Sequence, residues 1–498
     1  MAVRVIGQAI LAKPNVAMFH SNLGNALLQS GRPDDGIASL KRAVELDPAL
    51  ADGHYNLALA LQDQGRLDEA ALRYQAAASL RPAFAEAHDS MGTVFREQGR
   101  LDEAIARHRA ALSLQPTFLN ALSNLGTALK EKGRLDDAAD CYLRSLAIDP
   151  AYPEGHYNLG VVLQEKGWPA AAAARYRRAI DARPSLAEAH FNLAMVMLLQ
   201  GKMDEGWCEY EWRWKTRDMA KVRRGFAQPL WNGEAGGGRT LLIHAEQGLG
   251  DTLQFCRYAP LAAAKGFNVV FEAELPLARV LRSLPGIGLV VTRGQEPPAF
   301  DVHCPALSLP LALGTTLETV PGSLPYLHAD AAQSAALGVR VKAAAGEPLR
   351  VGLAWAGNPT MKADLRRSLS PDRLQPLLDV AGAAFFSLQK DVSLSEGSPM
   401  IDLMGEMRDF ADTAALVDNL DLVISVDTAV AHLAAAMGKP VWLLNRFDSC
   451  WRWLLDRRDS PWYPTMRIYR QPVAGDWDAI LAEVGGDLAA LVRARRLL

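Results

Sequence analysis

The chain has 498 residues, 49% hydrophobic and 22% charged, with 53 basic and 56 acidic side chains giving a formal net charge of -3. This composition excludes a disordered tail protein, and there is no basic surplus for non-specific nucleic-acid binding. Cys141, Cys208, Cys256, Cys304 and Cys450 are scattered with no CxxC pair, no apolar run reaches a membrane span, and MAVRVIGQAILAKP has no cleavage pattern. The expectation is a cytoplasmic chain with reduced thiols, no disulfide framework, no metal, no nucleic-acid partner and no transmembrane segment.

Along the chain, Pro14, Pro48, Pro82, Pro116, Pro150 and Pro184 follow one another at intervals of 34 residues, as do Gly31, Gly65, Gly99, Gly133, Gly167 and Gly201. A fixed period of this length means one supersecondary unit repeated. Each unit holds two helical apolar patterns, broken at the glycine and ended near the proline. NLGNALLQSGRPDDG and its five echoes resemble the tetratricopeptide repeat, which implies six near-complete units over about 15–218 stacked into an α-solenoid, or superhelix, with a concave binding face. Residues 1–14 read as the second helix of an earlier, incomplete repeat, and the N-terminus as one cut from a longer array.

Asn22, Asn56, Asn124, Asn158 and Asn192 recur in register, with Ser90 in the third slot. Side-chain amides can grip a peptide backbone without reading its sequence. The row resembles the asparagine ladder of protein O-linked N-acetylglucosamine transferases, which implies peptide or acceptor binding at these five residues; the alternative is asparagine tolerated at exposed helix positions. His20, His54, His88, His156 and His190 keep the same step. Helices pack about 8–10 Å apart while zinc ligands lie about 2 Å from the ion, so a packing slot is expected here instead of a metal stripe.

No tryptophan precedes Trp168, and five aromatic residues, Trp207, Tyr210, Trp212, Trp214 and Trp231, then crowd the stretch after the repeats. They suit a packed joint. Beyond Gly236–Gly238, short apolar runs alternate with helical patterns: TLLIHA, NVVFEA, GLVVT and DVHCP form one set, and LRVGLAWAG, AFFSLQ, LDLVISV and PVWLL a second. These are parallel βαβ units in two Rossmann-like halves, with a ligand cleft at the carboxyl ends of the strands. The expected boundaries are 1–218 for the repeats, 219–238 for the junction, 239–325 for the first half and 326–498 for the second. GxGxxG and GxxxxGK[ST] are absent from the strand ends, which removes the main support for dinucleotide or P-loop chemistry.

Two segments stand at the cleft. Ala245-Glu246-Gln247-Gly248-Leu249-Gly250-Asp251-Thr252 opens a helix after the first strand, and Ser425-Val426-Asp427-Thr428-Ala429 opens another late in the second half. Each acid reads equally as a helix cap, worth about 1 kcal/mol. Each helix start also offers free N–H groups and a positive dipole end to an anion. Together with AVAHLAAAMGKPVWLL, the pair is similar to the heptosyltransferase-like glycosyltransferases of family nine, which have the GT-B fold, over about 239–498. The resemblance implies a general base at Asp251 and donor binding at Asp427 and Thr428; Ala429 departs from the glycine usual after this pair.

The loop Trp355-Ala356-Gly357-Asn358-Pro359 with Lys362, Arg366 and Arg367 resembles the family's phosphate-facing loop, and a departing diphosphate needs such cations. The choice among the three stays open, and a solvated loop is the alternative. Gln389 stands where a base or ribose edge could be read, and His432 reads equally as packing or donor contact. No DxD motif stands at a strand end, so no metal or other cofactor is expected beside the nucleotide-sugar co-substrate.

The leading expectation is a hexosyl- or heptosyltransferase of GT-B type, inverting, whose repeat arm recruits a protein or glycan acceptor. A protein O-GlcNAc transferase-like enzyme is a variant, although the GGTT-type donor loop of that family is missing. A repeat scaffold with a vestigial catalytic domain is the alternative of a different class.

Overall fold

The computed structural model describes all residues except 347, 359–363, 391, 393, 395, 396 and 498, and leaves out the side chain of Leu365. Lys362 therefore lies outside the described residues. The chain divides into two compact units, Met1–Ala189 and His190–Leu498.

The first unit is a stack of antiparallel helix pairs, such as Ala51–Asp63 with Leu67–Leu80 and Ala85–Glu97 with Leu101–Leu114, preceded by the helix Ala2–Ala12. Each internal turn is made by the periodic glycine, whose φ lies between 72 and 81°. This left-handed conformation ends a helix with no Cβ penalty. The periodic proline lies just beyond each second helix, and the residue before it is driven out of the helical region, as at Asp47 with φ -138 and ψ 92.

The recurring histidines have a structural explanation at the same turn. The ring Nε2 atoms of His20, His54 and His156 lie 2.7, 3.1 and 3.0 Å from the carbonyl oxygens of Pro14, Pro48 and Pro150. Each ring thus bonds the carbonyl of the proline in the turn between repeats.

First helices of successive repeats lie against one another, whereas second helices do not approach as closely. Side-chain bonds across one repeat, Asn56 to Ser21, Arg96 to Glu131 and Asn124 to Asp89, all join first helices. The array therefore curves with its first helices inside.

In the second unit, β1 (Thr240–His244), β2 (Asn268–Ala273), β3 (Ile287–Thr292) and β4 (Val302–Pro305) form an all-parallel sheet in the order β3-β2-β1-β4. The second sheet holds β5 (Leu349–Ala354), β6 (Ala383–Ser387), β7 (Ile401–Asp402), β8 (Leu422–Val426), β9 (Val441–Asn445) and β10 (Met466–Arg470). Its order is β10-β9-β8-β5-β6-β7, again all parallel. Strands such as β8 are buried along their whole length, which is why they read as unbroken apolar runs. β7 and β10 went unread in the sequence: β7 is two residues long, and β10, MRIYR, alternates charge with apolar groups.

The strand order reverses direction beside β1 and β4 in one sheet and beside β5 and β8 in the other. These are the switch points at which loops diverge and leave a crevice. One hydrophobic core joins the halves, with Phe255 and Tyr258 from the first and Trp451, Trp453 and Trp462 from the second. Trp207 stands edge-on to Trp451 at 5.3 Å and to Phe255 at 6.3 Å. The junction is not a loose linker: Trp231 N donates to His303 O at 2.8 Å, pairing this stretch with the edge of β4. No helix among the described residues is long and apolar enough to cross a membrane.

Candidate functional site

The first-half loop leaves β1 at Ala245 and enters the helix Leu249–Phe255, with Gly248 just outside it. Asp251 therefore lies at the third helical position and not at the cap, and its Oδ2 accepts the Gly248 N–H at 2.8 Å. Its Oδ1 accepts from Arg452 Nη2. The second-half loop leaves β8 at Asp427, and Thr428 precedes the helix Ala429–Ala436. Thr428 Oγ1 lies 3.0 Å from Ser425 Oγ.

The two helix starts meet. A Cβ on Gly250 would come within 3.0 Å of His432 Cδ2 and 3.6 Å of Ala429 Cα, so the absence of a side chain at Gly250 permits the approach. His432 Nε2 is 3.8 Å from Asp427 Oδ1, and its Nδ1 is 2.8 Å from the Tyr463 hydroxyl. Burial, with help from Arg452, pushes the His432 pKa down to about 3. The ring is a neutral, fixed wall.

Arg452 is the cation that the sequence reading missed. Burial alone would lower its pKa, but the fields of Asp251, Cys450, Tyr210 and Asp427 raise it, so it is permanently charged. Its Nε donates to Gln254 Oε1 at 2.5 Å, and its guanidinium lies 4.4 Å from the Trp451 ring. A second missed cation, Arg213, is buried behind the same loop. It donates from Nε to Glu246 Oε1 at 3.0 Å, from Nη2 to Ser308 Oγ at 2.7 Å and from Nη1 to Glu211 Oε1 at 2.5 Å. Burial pushes the Glu246 pKa up to about 7 against the pull of Arg213. The signal was present twice in the text: Trp212-Arg213-Trp214 and Trp451-Arg452-Trp453 each set an arginine between tryptophans. An arginine in so apolar a segment is buried with a partner or not at all.

The cationic loop is arranged differently from a row of free charges. Arg367 Nη1 donates to the Asp427 carbonyl at 2.9 Å and its Nε to Asp364 Oδ1 at 2.9 Å. Arg366, more exposed, donates to Asp448 Oδ2 at 3.1 Å. Asn358 is exposed in the loop after β5. Gln389 Oε1 accepts from Trp355 N at 3.3 Å and Ala356 N at 3.0 Å, so its carbonyl ties β6 to β5 and only its amide nitrogen faces elsewhere. The structure thus gathers Asp251, Asp427, Thr428, His432 and Arg367 at the crevice around Arg452, and commits the carbonyl of Gln389 to backbone. Among the described residues no group of histidine, cysteine, aspartate and glutamate has the arrangement of a metal site.

Comparison with known proteins separates the same two parts. Tetratricopeptide-repeat profiles match residues 24–65, 92–133 and 126–167, and 55–106 and 157–211. The profile of glycosyltransferase family 9 (heptosyltransferase) matches residues 387–444, which contain Asp427, Thr428 and His432. The chain thus carries tetratricopeptide-repeat matches in its first part and a short match to the family 9 glycosyltransferase profile in its second.

Protein FlbA of Caulobacter vibrioides is 27% identical over 317 residues, 58% of this chain and 52% of that protein. The chain thus spans about half the length of this curated relative. Among solved structures, YrrB, a TPR protein with an unusual peptide-binding site, is 23% identical with a TM-score of 0.32 over 38% of this chain and 97% of its own. Pseudomonas aeruginosa pilF is 20% identical with a TM-score of 0.36 over 41% of this chain and 95% of its own.

In the repeats, the ladder asparagines are partly engaged with their neighbours. Asn56 Nδ2 donates to Ser21 Oγ at 3.3 Å and Asn124 Nδ2 to Asp89 Oδ2 at 3.0 Å. Asn22 is exposed, and Asn124 and Asn158 border one cavity of the inner face. Asn192 lies on the helix Ala187–Leu199, in the second unit.

Proposed function

We propose that the chain moves a hexosyl or heptosyl group from a nucleotide-sugar to a hydroxyl of a protein or glycan held by the repeat arm, with inversion and without a metal. The observation that carries this reading is the meeting of two helix starts, each bearing an acid, around one buried guanidinium at the switch points of both sheets.

Asp251 takes the acceptor's hydroxyl proton while the acceptor oxygen bonds to the anomeric carbon. The bond from that carbon to the phosphate oxygen breaks, and the diphosphate leaves with the electron pair. The start of the helix Ala429–Ala436 with Thr428 receives the phosphates, and Arg367, Arg366 and Lys362 supply positive charge beside them. Asn358, Gln389 and His432 border the donor. Arrival of a diphosphate gives Arg452 a second anion and loosens its hold on Asp251, so donor binding precedes acceptor activation. Asn22, Asn56, Asn124, Asn158 and Asn192 grip the acceptor chain.

The test is binding and hydrolysis of UDP-, GDP-, ADP- and CMP-sugars by wild type and Asp251→Asn. Turnover unchanged in the variant removes Asp251 from the base role, and absence of nucleotide binding supports the scaffold instead. Alanine at Asn124, Asn158 and Asn192 is expected to weaken acceptor use and leave donor hydrolysis intact.

A further inference from the structure

The third repeat breaks the pattern of its neighbours at three places that coincide in space. In the fourth and fifth repeats a tyrosine of the second helix lies against a glycine of the first, Tyr142 on Gly126 and Tyr176 on Gly160; in the third, His108 lies on Gly92. One position before the ladder, where the other repeats carry Ser21, Tyr55, Ser123, Tyr157 and Phe191, the third carries Asp89, and Ser90 replaces the ladder asparagine. Asp89 and His108 are both buried, with His108 Nδ1 2.6 Å from Asp89 Oδ1, while Asn124 Nδ2 donates to Oδ2 at 3.0 Å.

This cluster borders a cavity of about 370 Å³ on the inner face, shared by Asp89, Ser90, Asn120, Asn124, Glu154 and Asn158. No lysine or arginine lines it. Glu154 is matched by Arg183 at 2.6 Å. Among the described residues Asp89 is held by the imidazole and an amide alone. His108 Nε2 is buried with no hydrogen-bond partner. Asp89 thus brings a buried carboxyl group to the wall of a cavity that has no lysine or arginine of its own, where an arriving cation would find a partner.

We infer that this cavity is a specificity pocket for a lysine or arginine side chain projecting from an extended polypeptide on the inner face. The inference rests on the proposed role of the arm in holding an acceptor, and not on the transferase chemistry. Serine at position 90 opens the approach, Asp89 takes the ammonium or guanidinium, and Asn124 and Asn158 flank the polypeptide backbone.

The test uses the full chain and fluorescent, end-blocked peptides of Gly, Ser, Ala, Asn and Thr that carry one central Lys, Arg, Gln, norleucine or Glu. Lys and Arg peptides are expected to bind roughly tenfold more tightly than the Gln peptide, less so at high salt. That preference disappears in Asp89→Asn, which keeps the side-chain shape. It also disappears in the double variant Asp89→Ser, His108→Tyr, which copies the Ser123 and Tyr142 pair of the fourth repeat and so keeps a packing the fold already uses. Equal binding of Lys and Gln peptides, a Lys preference that survives Asp89→Asn, or no binding of any peptide overturns the inference. A Lys preference in a chain that binds no nucleotide would leave the pocket standing and remove the transferase reading.

Discussion

Replacing Arg452 by methionine tests whether one guanidinium organises the crevice. The substitution keeps most of the apolar stem and removes the partner of Asp251, whose side chain is 19% exposed against 10% for Arg452. Breaking a buried ion pair costs about 3–5 kcal/mol. Asp251 retains the Gly248 N–H and some water, which recovers part of that, while the buried Gln254 Oε1 also loses its donor. The expected loss is about 2–4 kcal/mol. Every tryptophan except Trp168 lies in the second unit, so tryptophan fluorescence during urea unfolding follows that unit. In the cycle with Asp251→Asn, the double variant should be more stable than the sum of single losses predicts, by about 1.5–3 kcal/mol. A single loss below about 1 kcal/mol, or additivity within about 0.5 kcal/mol, refutes the reasoning.

Other consequences follow from single contacts. His432 has a folded pKa near 3, below the ordinary value of about 6.5. Its contribution is therefore present above pH ~6.5 and lost as pH falls, so wild-type stability should drop by about 1.4 kcal/mol per unit more steeply than that of His432→Gln between pH ~6 and ~4; parallel pH profiles in urea would contradict this. Gly250→Val forces branches toward the His432 ring and should cost about 1–3 kcal/mol, with nucleotide affinity falling alongside. Gln389→Ala strands the N–H groups of Trp355 and Ala356 and should cost about 1–3 kcal/mol, whereas Gln389→Glu keeps the acceptor and should cost less. If the two variants prove equally stable, the carbonyl bridge carries no weight.

The repeat arm was legible because its signals are local and recur: a glycine for each left-handed turn, a proline after each second helix, and a histidine in every unit but the fourth. Strands were legible where burial on both faces demands unbroken apolar runs, as in LVISV, and illegible at the short β7 and the charged β10. Asp251 and Asp427 were readable as acids at helix starts, since a helix start advertises itself over a few residues. Their partner was not. Arg452 lies 201 residues beyond Asp251, and no periodicity or spacing joins groups so far apart.

The sequence by itself determined the repeat helices and the strongly apolar strands, and that the chain is an arm of 34-residue units followed by two parallel-sheet halves. The tertiary structure alone decided which charges meet. Pairing of Arg452 with Asp251, Arg213 with Glu246 and His108 with Asp89 depends on how helices and sheets pack. A buried charge takes the partner that geometry brings within hydrogen-bond reach, because the low-dielectric interior penalises every other arrangement.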